Sequence, residues 1–247
     1  MTNPPLKAEV SAADFVDHAE KYKLLWICGH LRELFPRLNV NCVWDVGANI
    51  GYYGFLLRSF VRYDGPLLSF EPVSGEYEKL VNRAANDDRW QTFKMALGSR
   101  DEERAIKVAE NAVLSSFLEP SDYSRQTFGA MTNVVEEEVV PVRTVDSVAP
   151  EVMGAGPARI FLKLDTQGWD LEVIRGAEQL LPSVVGMQVE LSLKNIYEGM
   201  PSYTETLAYV ESKGLELSGV FPVMRDRQLR LVELDCVFVR PEEVSPQ

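Results

Sequence analysis

The chain has 247 residues, of which 46% are apolar, 10% aromatic and 25% charged, which is enough for a full core and excludes a disordered polymer. Lys and Arg number 25 against 37 Asp and Glu, a net charge of −12. A polyanion would approach against that field, so nucleic acid is excluded as the default partner. Cys28, Cys42 and Cys236 form no CxxC pair, which argues against a disulfide framework or a zinc site and for a reduced, cytoplasmic setting. No stretch approaches the roughly 20 apolar residues of a membrane span, and the first residues lack the apolar region of a signal peptide. One domain is expected over residues 1–247, with 1–40 a helical N-terminal extension or lid and 99–145 an insertion beside the sheet.

Residues 11–38 read as a helix: Ser11 with Asp14 resembles a cap, and Phe15, Leu24, Leu25, Leu31, Leu34 and Phe35 recur at near-helical spacing before Pro36. Thereafter strands alternate with helices, the pattern of a mostly parallel sheet. Strands are expected at 42–46, 66–70, 91–95, 159–164 and 184–190, with helices after the first, second, fourth and fifth. Between Gly98 and Asp146 the periodicity is lost, and short β-like runs flank a polar stretch. Two last strands around the turn MRDRQLR read as an antiparallel hairpin.

The segment VWDVGANIGYYG, followed by Glu71, carries the strongest chemical signal. A strand that ends in Asp45 and turns through Gly47-Ala48-Asn49 to Gly51 lets backbone pass tightly under a ligand and hand over to a helix. Glu71 closes the next strand about 20 residues on, where a carboxylate accepts the two hydroxyls of a ribose. A G-x-G-x-x-G fingerprint would need glycine where Asn49 and Tyr52 stand, and the phosphate loop GxxxxGK[ST] is absent. A carboxylate at Asp45 repels a pyrophosphate and welcomes an ammonium or sulfonium. The ligand that combines adenosine, an amino acid and a positive sulfur is S-adenosylmethionine. The competing reading is that Asp45 and Glu71 merely cap the helices that follow them.

These motifs, with FEP, the Ala96-Leu97-Gly98 turn, VRTVDSV and IFLKLDTQGWDLEVIRGA, resemble the FkbM-type S-adenosylmethionine-dependent methyltransferases over about residues 40 to 240. The resemblance implies a Rossmann-like α/β fold with a mostly parallel seven-stranded sheet and a C-terminal antiparallel hairpin. It also implies methylation of a hydroxyl on a sugar, glycan or polyketide-like acceptor, and cofactor roles for Asp45, Gly47, Asn49, Gly51 and Glu71. Asp45 and the glycine turn, with Ala48, are expected to hold the methionine end, Glu71 the ribose, and the residues around Phe70, Pro72, Ala96 and Leu97 the adenine. One departure stands out: the family commonly has Asp-x-Glu-Gly where this chain has Asp165-Thr166-Gln167-Gly168, so a charge at 167 is lost and hydrogen bonding is kept.

Asp165 and Glu190 end neighbouring strands and are the expected catalytic pair, either as a base for the acceptor hydroxyl or as ligands of Mg²⁺. Ser115, Ser116 and Tyr197 are the expected substrate contacts, with Tyr123 and Tyr203 in the same loops. His18 and His30 read as solvated or packed helix residues, Lys163 as a side chain on the face opposite Leu162 and Leu164 or reaching solvent, and Glu136-Glu137-Glu138 as a solvated strand edge. Transfer to nitrogen and a non-catalytic adenosyl-binding module are the alternatives, and a homo-oligomer is left open.

Overall fold

The computed structural model describes residues 12–154 and 156–241, with side chains from residue 25 onward. Helix α1 (Ala12–Arg37) leads into β1 (Cys42–Val46), α2 (Tyr52–Leu56), β2 (Leu67–Phe70), α3 (Ser74–Ala84) and β3 (Trp90–Phe93). The insertion follows as β4 (Ala96–Leu97), β5 (Glu102–Ala109), α4 (Asp122–Phe128) and β6 (Val134–Arg143). The chain returns through α5 (Val145–Val152), β7 (Ile160–Leu164), α6 (Asp170–Arg175), β8 (Val184–Ser192), α7 (Tyr203–Ser212), β9 (Glu216–Arg225) and β10 (Leu231–Val239). The cap expected at Ser11 lies outside the described residues.

The main sheet has seven strands in the order β3-β2-β1-β7-β8-β10-β9. Strands β1, β2, β3, β7 and β8 pair in parallel, and β10 runs antiparallel to both β8 and β9. The central strands are almost continuously apolar (CVWDV, LLSF, IFLKL) because helices cover both their faces. On one face Trp44, Phe70, Leu162, Leu164 and Val189 pack with Val148, Ile174 and Leu181. On the other, Val43, Leu67, Phe161 and Val237 pack under Leu31, Leu34, Phe35 and Leu57. Five of the expected strands and the hairpin are present, with ends shifted by one or two residues.

The insertion builds its own three-stranded sheet in the order β4-β6-β5, with β6 parallel to β4 and antiparallel to β5. Ala96-Leu97, expected as a turn after the third strand, is a strand of this small sheet. The acidic run of β6 is not wholly solvated as expected: Glu138 accepts from the backbone N–H of Ser74 at 3.0 Å and from its hydroxyl, and pairs with Lys94 at 3.3 Å. It therefore ties the insertion to the N-terminus of α3.

Strand order reverses between β1 and β7, and the carboxyl ends of strands on either side of such a point leave a crevice. Helix α2 continues past Leu56 as a π-helical turn, Leu57–Val61, that ends at Arg62 in the left-handed region (φ 66°). Among the described residues no helix is long and apolar enough to cross a membrane, and the three cysteines are free thiols.

Candidate active site

The crevice holds a cavity of about 360 Å³, in the range of small-molecule sites. One end is formed by the turn after β1. Gly47 (φ 75°) leaves no room for a side chain, because a Cβ there would lie 1.9 Å from the carbonyl oxygen of Asp165. The N–H groups of Gly47 and Ala48 both donate to the carbonyl of Phe70, at 3.0 Å. Glu71, buried at the end of β2, accepts from the N–H of Asn49 at 2.8 Å and of Val73 at 2.9 Å, one on each carboxylate oxygen. Its carboxyl is pushed up to about 7 by burial, against the pull of those two donors.

Gly47, Ala48, Asn49, Glu71, Pro72, Ala96 and Leu97 line this cavity, as do Asp165, Glu190 and Ser115. Phe117, Ile106 and Trp169 add an apolar wall from the insertion and from α6. Gly51 sits behind the turn, where a Cβ would meet Leu80 at 2.8 Å. Ser116 and Tyr197, expected at the substrate, instead hold Gln167: Ser116 Oγ donates to its backbone carbonyl at 2.8 Å, and the Tyr197 hydroxyl lies 2.8 Å from its side-chain Oε1. Both side chains are buried away from the cavity wall.

Asp45 differs most from its expected setting. It is fully buried beneath the turn and does not line the cavity. Ser69 donates to its Oδ2 at 3.1 Å, and the Lys163 ammonium lies 3.1 Å from Oδ1. Lys163 does face away from Leu162 and Leu164, but it stays inside, also reaching Asp165 Oδ2 at 3.4 Å and the carbonyl of Gly47 at 3.3 Å. Burial pulls its pKa down, and Asp45 and Asp165 more than offset this, so the ammonium is held above its usual range. The negative charge assigned to greet a cation is thus already compensated from within.

The register explains the arrangement. Ser69, Asp45, Lys163 and Gln188 are lateral partners on β2, β1, β7 and β8, and so form one polar row across the α1-facing side of the sheet. Gln188 closes the row, donating to Asp235 at 2.9 Å and accepting from the Tyr53 hydroxyl at 3.0 Å. Tyr53, Gln188 and Asp235 line the cavity and were not singled out from the sequence. The one available signal was a charged or amide residue inside each of the strands IFLKL, VVGMQVELS and LVELDCVFV.

Asp165 and Glu190 lie just beyond the paired ends of β7 and β8. Gln167, in the left-handed region (φ 52°), donates its amide to Asp165 Oδ1 at 3.1 Å and to Glu190 Oε2 at 3.0 Å. Burial pushes Glu190 well above the usual carboxylate range, assisted by Asp165, Glu233, Asp235 and Asp170. Glu190 lines the cavity. Burial likewise raises Asp235 to about 6. Asp165 and Glu190, side by side at the cavity wall, can exchange a proton with a bound hydroxyl or amine.

The same pair does not fit Mg²⁺, which needs about six oxygens at about 2.1 Å. An amide N–H₂ bridges the two carboxylates, Lys163 takes the far oxygen of Asp165, and among the described residues no group of three or more His, Cys, Asp or Glu is placed to hold a metal. His30 lies off the cavity, 3.0 Å from Ser218 Oγ and tilted against Phe221. Tyr203 is exposed, and the Tyr123 hydroxyl is buried without a partner. The side chain of His18 lies outside those described.

The methyltransferase FkbM domain matches residues 45–217. The chain belongs to the FkbM methyltransferase family. The FkbM domain thus begins at the buried Asp45 and spans the cavity walls from the glycine turn through Glu190. Among curated proteins there is no match. Of solved structures, the FkbM methyltransferase of Methylobacillus flagellatus is similar at 14% identity and a TM-score of 0.49, over 81% of this chain and 43% of that one. This chain therefore spans less than half of that relative. The magnesium protoporphyrin IX methyltransferase of Synechocystis with bound S-adenosylmethionine is similar at 8% identity and a TM-score of 0.47, over 95% and 86%. Fibrillarin of Aeropyrum pernix, also with S-adenosylmethionine, is similar at 9% and 0.46, over 81% and 66%.

Proposed function

We propose that this FkbM domain is an S-adenosylmethionine-dependent O-methyltransferase acting on a hydroxyl of a sugar, glycan or polyketide-like small molecule. The observation that carries the reading is the cavity itself. A glycine turn tied to Glu71 forms one end, and Asp165 and Glu190, held together by Gln167, stand on the same wall.

The residues present fit the cofactor. Gly47, Ala48 and Asn49 would border its amino-acid end, Glu71 has lone pairs left for the ribose, and Pro72, Ala96 and Leu97 would border the adenine. When bound it supplies a methyl group already activated on a positive sulfur. The protein's share is therefore positioning and proton transfer. Glu190, the more basic for being buried among carboxylates, would take the proton of the acceptor hydroxyl as that oxygen receives the methyl group the cofactor would supply. Asp165, fixed by Lys163 and Gln167, orients the hydroxyl. Asp45 acts one step back, by holding Lys163 under the turn. Ser115 faces the acceptor, while Ser116 and Tyr197 keep Gln167 in place.

Calorimetric titration with S-adenosylhomocysteine tests the reading, followed by turnover with a panel of hydroxyl acceptors. Saturable binding with transfer abolished in Glu190→Gln supports it, and absence of binding refutes it.

A further inference from the structure

The cavity continues past the polar row. Beyond Lys163 and Gln188 its walls come from α1, from α2 with its π-helical turn, and from β9: Ile27, Leu31, Leu56, Leu57, Val61 and Val223. This end is almost purely aliphatic, while the floor between the two ends carries three carboxyl groups, Asp165, Glu190 and Asp235. The Lys163 ammonium is directed at Asp45, Asp165 and the Gly47 carbonyl. The Gln167 amide serves Asp165 and Glu190, Gln188 serves Asp235, and the Tyr53 hydroxyl serves Gln188. Each of these four donor groups is engaged by the protein. Asp165, Glu190 and Asp235 face the cavity beside them.

Such a floor gains hydrogen bonds from a ligand that brings donors, and it offers a ligand anion no uncommitted cation. The aliphatic end gains from an apolar body that displaces water. We propose that the acceptor is an amphiphile, with an apolar body in the chamber between α1, α2 and β9 and a hydroxyl or ammonium head on the carboxylate floor, and that acceptors bearing an anionic group are refused. This rests on the methyl-transfer reading and narrows its acceptor class.

The test is calorimetry on the full chain, with and without S-adenosylhomocysteine, using 1-octanol, octylamine, octanoate and glucose as probes. Octanol and octylamine should bind saturably, and octanoate and glucose at least tenfold more weakly; the two tighter probes separate a hydroxyl from an ammonium head. Val223 is an exposed strand residue at the chamber wall. Val223→Trp should weaken octanol at least tenfold while S-adenosylhomocysteine still binds, which shows that the variant is folded. Octanoate or glucose binding as tightly as octanol, no saturable binding of either octyl donor, or an unaffected Val223→Trp would each overturn the proposal. Loss of S-adenosylhomocysteine binding in the unmodified chain would instead refute the methyl-transfer reading, and the octyl series without it would still decide the chamber.

Discussion

Lys163 and Asp45 form an ion pair with 3.1 Å between Nζ and Oδ1, and their side chains are only 6% and 0% exposed. The pair lies directly under the glycine turn, because Lys163 also donates to the carbonyl of Gly47. Removing one partner leaves the other charge buried and unmatched, a loss of about 3–5 kcal/mol. Lys163→Met and Asp45→Asn should each lower the denaturation midpoint strongly, and the double variant should recover a large part of the loss. Equal additive losses in the double variant would show that the two do not act as a pair.

Gly47→Ala tests the turn. The added carbon would sit 1.9 Å from the Asp165 carbonyl oxygen at a φ of 75°, so overpacking and left-handed strain together should cost roughly 2–5 kcal/mol. Because the clash pushes on Asp165, S-adenosylhomocysteine affinity should fall in the same variant. Calorimetry beside a urea melt separates the two effects.

Glu71 anchors the turn through two backbone donors, Asn49 and Val73. Glu71→Ala strands both N–H groups, a loss of about 1–3 kcal/mol, and removes the acceptor assigned to the ribose. Affinity for S-adenosylhomocysteine should drop about 10- to 100-fold. Unchanged affinity would leave Glu71 as a purely structural brace.

Several buried carboxyls have raised pKa values in the fold: Glu71 and Glu233 to about 7, Asp170 and Asp235 to about 6, and Glu190 well above its usual value. The folded state therefore binds more protons than the unfolded chain between about pH 4 and 7. With fewer protons on the unfolded side, stability falls as pH rises. The contribution of these groups is fully present below their unfolded pKa values and is lost as pH passes their folded ones. Urea midpoints should decline from pH 5 to 8, and Glu233→Gln should flatten that decline.

The strand-and-turn motifs were legible because they obey local rules. A continuous apolar run bounded by Asp45 and Gly47 has few other solutions, and the match at residues 45–217 bears out the family read from the motifs. The polar row was not legible, because Ser69, Asp45, Lys163 and Gln188 become neighbours only through lateral strand register, which four separate strands do not announce. Lys163 was therefore read without its partner, and Asp45 as a free charge. Ser116 and Tyr197 illustrate the same blindness from the other side. Their loop positions suggested a ligand, whereas tertiary folding turns them onto Gln167. The ties from Glu138 to Ser74 and Lys94 depend on how the insertion folds back, which no local pattern encodes.

The central claim is that Glu190 receives a hydroxyl proton during methyl transfer. It is tested most directly by mass spectrometry of acceptors incubated with S-adenosylmethionine carrying a deuterated methyl group, for the unmodified chain and for Glu190→Gln. The account predicts a labelled methyl ether with the unmodified chain and a loss of about 10²- to 10⁴-fold in its rate of formation in the variant, with S-adenosylhomocysteine binding retained. Label on an amine, or an undiminished rate in Glu190→Gln, would contradict it.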